Sequence, residues 1–384
     1  MSARIVLFGV TLATSLMLSA GAARAADDTY RVGLLHSFSG YLASVGIAYR
    51  EGFMIGVDEI NESGGINGKK IEVFIENDES DTAKGVPAAL RLLNNEKVRA
   101  LFGPGRSDVT EAIGPMVEKA HVVNLTSSVT LPTHHDFTFA ASTLPDKEAK
   151  LMIDYAKRKG AKSVAVLSAM DFYSKSLGAA IAAEAVRQGI KVAATESYNN
   201  ATDRNFIPQL SKFKAADADW MFLAGSLSGL VLKQKGDIGY KAPVTGNVVF
   251  TAQGMDSLRQ MAGAELDSAS FTAMQLTVWE SLPEGGAAAE RSRRFIKAFQ
   301  AKYGRLPEVE KLGYAMGYDQ VLMLADAAKR AGPGADGLKL KEAFEATTNF
   351  VGANGIYTYS PTVHASNDGV VIAEIRNGVP RIAD

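Results

Sequence analysis

Cysteine is absent from all 384 residues. That absence excludes disulfides, thiolate catalysis, zinc–cysteine and iron–sulfur sites, and lipid attachment through a thiol. An excess of charge of one sign is lacking too: 41 Lys and Arg offset 42 Asp and Glu, for a formal net charge of −1. The chain therefore has neither the basic footprint of a nucleic-acid binder nor an acidic tail. After Ala25 no stretch is long and apolar enough to span a bilayer, and no short-period repeat is visible. What is present is apolar material, 47% of residues against 22% charged, enough for a large core. At roughly 100–200 residues per domain, the length implies two domains or one large one.

Arg4 precedes an apolar run over 5–18, and small residues follow, ending in Ala23-Arg24-Ala25. A positive start, a short apolar centre and an A-x-A site read as a secretory signal peptide cut after Ala25. The run is shorter than the roughly 20 residues a spanning helix needs. The expectation is an exported, periplasmic protein without a lipid anchor.

From Tyr30 onward β-rich runs alternate with helical patterns. Strands are expected at 31–35, 70–77, 98–102, 122–125, 163–168, 190–195, 220–224 and 369–375. Most are continuous apolar runs, as in parallel strands covered on both faces, whereas 70–77 alternates and belongs nearer a sheet edge. Helical stripes fall at Val86, Ala89, Leu90 and Leu93, at Val109, Ile113, Met116 and Val117, and at Phe206, Leu210 and Phe213. Longer helices are expected at 146–159, 289–303 and 312–330, with an extended crossing segment at 270–278. The β-α-β pattern restarts at Lys162, which implies two α/β lobes, each a doubly wound, Rossmann-like sheet.

Few motifs carry chemistry. Gly103-Pro104-Gly105-Arg106-Ser107-Asp108 opens like a dinucleotide loop but has Asp where the third glycine belongs, and its amides suit an anion instead. Gly64-Gly65-Ile66-Asn67-Gly68-Lys69 is a turn, one residue short of a P-loop. Gly225-Ser226-Leu227-Ser228-Gly229 has Leu where a nucleophile elbow needs Ser. His134-His135-Asp136 lacks the spacing of a helical metal site and reads as a surface loop. No nucleophile–base pair emerges, so no enzyme, cofactor or metal is expected.

The segments in order carry a resemblance. Val32-Gly33-Leu34-Leu35-His36-Ser37-Phe38-Ser39-Gly40, then Gly64-Gly65-Ile66-Asn67-Gly68-Lys69-Lys70-Ile71, Phe102-Gly103-Pro104, Asp171-Phe172-Tyr173, Gly317-Tyr318-Asp319 and Phe350-Val351-Gly352-Ala353-Asn354-Gly355 follow one another. This series resembles the branched-chain amino-acid-type (leucine-binding-protein-like, type I) periplasmic binding proteins of ABC transporters, across the whole mature chain. The resemblance implies two lobes joined by three crossings, with lobe one at 27–144 and 276–352 and lobe two at 145–275 and 353–384. It implies a monomer that closes on a small carboxylate ligand and delivers it to an inner-membrane ABC permease. A sensor of the same fold is the alternative, and a small-amide hydrolase is disfavoured by the missing nucleophile.

Carried over position by position, the resemblance places Ser107, flanked by Arg106, and the loop of Thr126, Ser127 and Ser128 on the ligand carboxylate. Tyr173 closes over the ligand. The segment of Phe250, Thr251 and Gln253 stands where amino-acid binders hold the ammonium with an acid. Two departures follow: Val45 replaces an aromatic residue, and no acid stands at 250–253. Asp108 or Asp171 could substitute for it; otherwise an amine-free acid, such as an aromatic one, fits better.

Overall fold

The computed structural model describes residues 29–40, 42–128, 130–308 and 313–384; the expected signal peptide lies outside them. The first sheet holds β1 (Thr29–His36), β2 (Lys70–Asn77), β3 (Ala100–Phe102), β4 (Val123–Thr126) and β5 (Thr138–Ala140). They are parallel, in the order β2-β1-β3-β4-β5. The alternating strand, β2, sits at the edge. The inner strands bury both faces: Val32, Leu34 and Phe102 belong to one core, Leu35 and Leu101 to the other.

Helices α1 (Ala43–Glu62), α2 (Thr82–Leu90) and α3 (Ser107–Ala120) connect these strands. The α3 stripe Val109, Ile113 and Val117 is fully buried, as its spacing requires. In α2 the stripe differs from expectation: Leu90 faces outward while Leu92 and Leu93 are buried. The cause is a π-turn at Arg91–Asn95, which inserts a residue and rotates the phase.

After α4 (Pro145–Arg158) the second sheet begins with β6 (Ser163–Ala169), α5 (Phe172–Arg187), β7 (Lys191–Tyr198), α6 (Ile207–Ala215) and β8 (Trp220–Ala224). It continues through α7 (Ser228–Asp237), β9 (Val244–Gly246), α8 (Met255–Ala262) and β10 (Ala269–Ala273). The expected crossing at 270–278 is thus a strand that ends in a 3-10 turn over Gln275–Ser281.

The chain then returns to the first lobe as α9 (Ala287–Tyr303), α10 (Tyr314–Ala331) and α11 (Gly337–Glu345). Helices α1 and α10 cross with backbones nearly touching. A Cβ on Gly52 would lie 1.6 Å from the Tyr314 carbonyl oxygen, and one on Gly317 would lie 2.4 Å from that of Tyr49. Only glycine fits there. A hairpin, β11 (Phe350–Val351) with β12 (Ile356–Tyr357), precedes β13 (Val371–Arg376) and β14 (Val379–Ile382). Both of these join the second sheet, in the order β14-β13-β10-β9-β8-β6-β7.

Two lobes and three crossings result, but the third crossing falls later than expected. Ala353, Tyr357 and Tyr359 pack in the lobe-one core, and the Ala140 amide donates to the His364 carbonyl at 2.7 Å. The chain therefore stays with lobe one until about 365 rather than leaving at 352. One buried carboxylate fixes this return. Asp319 on α10 accepts from the amides of Ala353 (2.7 Å) and Asn354 (2.8 Å) and from the Tyr357 hydroxyl (2.8 Å). Burial pushes Asp319 up to about 6, against the pull of those donors.

Candidate functional site

In open α/β sheets, ligands sit beyond the C-terminal ends of the strands. In lobe one that rim is built by β1, β3 and β4 and the turns after them. Ser107 opens α3, where unpaired amides and the helix dipole favour an anion. Its hydroxyl lies 2.9 Å from that of Ser128, which also donates to the Thr130 carbonyl at 3.0 Å. Ser127 sits between them in sequence, half-buried, 2.9 Å from Nε2 of His36. Thr126 is buried, donates to the Pro104 carbonyl at 2.9 Å and accepts the Ser128 amide at 3.0 Å. Its hydroxyl braces the loop rather than facing a ligand. Arg106 is likewise engaged: Nε meets Asp108 at 2.8 Å and Nη1 donates to the Ser80 carbonyl at 2.8 Å. Asp108, tied to Arg106 and to the Thr82 hydroxyl at 2.7 Å, is not offered to the cleft.

A cavity of about 300 Å³ lies between the lobes. Leu42, Ser44 and Val45, at the start of α1, form its lobe-one side. Opposite them stand Asp171, Tyr173 and Ser174 of lobe two, with Asn200 and Ser226 beside Asp171. Asp171 caps α5 through the Ser174 amide (2.9 Å), and its other oxygen accepts from the Asn200 amide at 3.0 Å. A carboxylate has about four acceptor positions, so Asp171 retains capacity toward the cavity.

Tyr173 contributes its ring; its hydroxyl turns inward and donates to Glu148. That buried carboxylate also accepts from Thr272 and from the Val248 amide at 3.2 Å. Burial pushes Glu148 above the usual carboxylate range, and the three donors oppose it.

The loop after β9 behaves differently from expectation. Phe250 is 0% exposed and stacks on Phe271, with ring centroids 5.3 Å apart, inside the lobe-two core. Thr251 is buried too, and Gln253 lies against α7 near Gly229. The reason is local: successive turns join Ala252 to Val249 (3.1 Å) and Gly254 to Thr251 (2.8 Å). Such turns bring every third residue to one side, and the residues reaching the cavity are Val249 and Ala252. This loop adds apolar wall, not a charge partner.

Residues 29–379 match the family model described as periplasmic binding protein. The chain belongs to that family. Among curated relatives, it is 26% identical over 330 residues to the leucine-, isoleucine-, valine-, threonine- and alanine-binding protein of Pseudomonas aeruginosa, covering 84% of each chain. Against the Leu/Ile/Val-binding protein homolog 7 of Brucella abortus it is 28% identical, covering 86% of this chain and 84% of that one. Its fold matches the Streptococcus pneumoniae branched-chain amino acid transporter substrate-binding protein LivJ, solved with isoleucine. That match has a TM-score of 0.73 and 26% identity and covers 92% and 99% of the two chains. An extracellular ligand-binding receptor of Rhodopseudomonas palustris HaA2 aligns with a TM-score of 0.79 at 22% identity, over 92% and 99%.

As a periplasmic binding protein, the chain is a type I α/β fold with parallel strands in both lobes. Among its described residues no helix is long and apolar enough to cross a membrane, and no cluster of metal-ligating side chains forms. His134 faces Glu118 on the surface, at 3.2 Å. Two residues, Asn200 in the cavity wall and the fully buried His36 beside Ser127, carried no sequence signal of their own. His36 read as a lone histidine inside a longer motif, and Asn200 had no motif around it.

Proposed function

We propose that this protein is the solute-capturing component of an ABC importer. It takes an α-amino acid with an aliphatic side chain into the interlobe cavity, closes on it as a monomer, and presents it to an inner-membrane permease. The observation that carries the ligand class is Asp171, a carboxylate standing in the same cavity as Leu42, Val45, Val249 and Ala252. An ammonium finds its partner in Asp171, the aliphatic side chain packs on the four apolar residues, and the carboxylate meets Ser107 and Ser127. A buried ammonium without an anion would be strongly disfavoured, so Asp171 answers the missing acid at 250–253. The relatives named for leucine, isoleucine and valine support the same reading.

A second reading draws on the loop itself: Val249 and Ala252 widen an apolar wall that also suits an amine-free acid. Calorimetry with leucine, isoleucine, 4-methylpentanoate and benzoate separates the two. Micromolar binding of the amino acids alone supports the first reading; binding of the amine-free acids alone overturns it.

A further inference from the structure

His36 ends β1 fully buried, and both of its ring nitrogens are engaged. The Ser37 amide donates to Nδ1 at 2.9 Å, so Nδ1 must carry a lone pair. Burial also pulls this imidazole down to about 4, which leaves the ring neutral at neutral pH. With Nδ1 unprotonated and the ring neutral, the single proton sits on Nε2 and points at the Ser127 hydroxyl 2.9 Å away. Ser127 therefore accepts on the protein side, and its own proton has no protein acceptor among the described residues.

The backbone is shaped around this pair. A Cβ on Gly105 would lie 2.8 Å from the His36 Nε2 and 3.3 Å from the Ser127 hydroxyl oxygen, so only a glycine lets the turn pass this close. Tyr49 flanks the ring with centroids 5.0 Å apart and donates to Gln320, whose amide holds the Thr126 carbonyl at 2.8 Å. The imidazole and the loop are thus fixed relative to each other.

We propose that His36 is a positioning residue that makes Ser127 an obligate donor toward the ligand, so the cleft selects a carboxylate over the corresponding amide. A hydroxyl free to rotate can donate to a carboxylate or accept from an amide N–H; one already accepting from an imidazole is aimed to donate. The inference rests on the carboxylate-binding reading above.

Nitrogen-15 correlation spectra of the ligand-free protein report the tautomer directly. The Nε2–H form is expected at pH 7, and the Nδ1–H form or an imidazolium would overturn the proposal. Binding is then compared for L-leucine and L-leucinamide. His36→Leu should narrow the leucine-to-leucinamide preference by about tenfold, the worth of one oriented hydrogen bond. His36→Gln, which keeps a donor, should restore most of it. In a Ser127→Ala background, His36→Leu should change nothing further. Multiplying effects in the double variant, or an unchanged preference in His36→Leu, would overturn the proposal. If wild-type protein ignores leucine, the amino-acid reading fails. The same comparison then runs with 4-methylpentanoate and its amide, and absence of binding there refutes both.

Discussion

Replacing Asp171 with Asn tests the ligand class with little disturbance to the fold. Asn caps helices about as well as Asp, so the bond to the Ser174 amide persists and ligand-free stability should change by less than about 0.5 kcal/mol. What disappears is the negative charge facing the cavity. A hydrogen bond to a charged group contributes about 1.5–3 kcal/mol, so leucine should bind roughly 10–150-fold more weakly. The second oxygen now accepts from Asn200 at 3.0 Å, and that amide can rotate to meet the new donor. An analogue without the ammonium, 4-methylpentanoate, should bind the variant as well as or better than the wild type, because a repulsive carboxylate is gone. Titration calorimetry with both ligands, alongside thermal unfolding of the free proteins, provides the comparison. Equal losses for leucine and 4-methylpentanoate would show that Asp171 shapes the loop rather than holding an ammonium. An unchanged leucine affinity would remove it from the site.

Two further outcomes are expected. Asp319, held near 6 in the fold against an ordinary value of 3.8, binds a proton more readily folded than unfolded. Its contribution is therefore fully present below about pH 4 and lost as pH rises through 6, a change of roughly 3 kcal/mol. Denaturant unfolding of wild type and Asp319→Asn should show their stability difference falling across that window; a flat difference would contradict it. Solution scattering should give a smaller radius of gyration with saturating ligand, since lobes joined by three strands of chain close about a ligand touching both. An identical radius would argue for a preclosed cleft.

Much of the fold was legible because inner parallel strands announce themselves as apolar runs. The edge position of β2 followed from its alternation alone. Strands β5, β9 and β14 escaped because three or four residues cannot establish a period. The link between Gly317-Tyr318-Asp319 and the turn around Ala353 was invisible for another reason: two motifs recognised separately are joined by one carboxylate across 34 residues. The late third crossing follows from the same bond. Of the carried-over site residues, Tyr173 lines the interlobe cavity, while Ser107 and Ser127 lie on the lobe-one loops after β3 and β4. Phe250 was misplaced because sequence cannot say which residue of a tight turn faces inward. Asp171 entered only as a substitute, since an exposed capping acid looks like any other until Leu42 and Val45 face it.

The interleaving of the lobes also bears on the order in which the molecule can form. The lobe-one core that holds Leu34 and Phe102 of the first sheet and Phe53 of α1 is completed by Tyr318 and its neighbours on α10, which follow the entire parallel part of the second sheet in the chain. As the chain emerges N-terminus first, lobe one therefore waits, half-built, until α10 arrives. Such long sequence separation between partners slows folding and leaves apolar surface bare in the interval. A chain truncated after β10 should accordingly bind a hydrophobic dye strongly and aggregate, even though the eight helices α1 to α8 and most of a second sheet are already in hand; a soluble, dye-silent fragment would show that lobe one can close without α10.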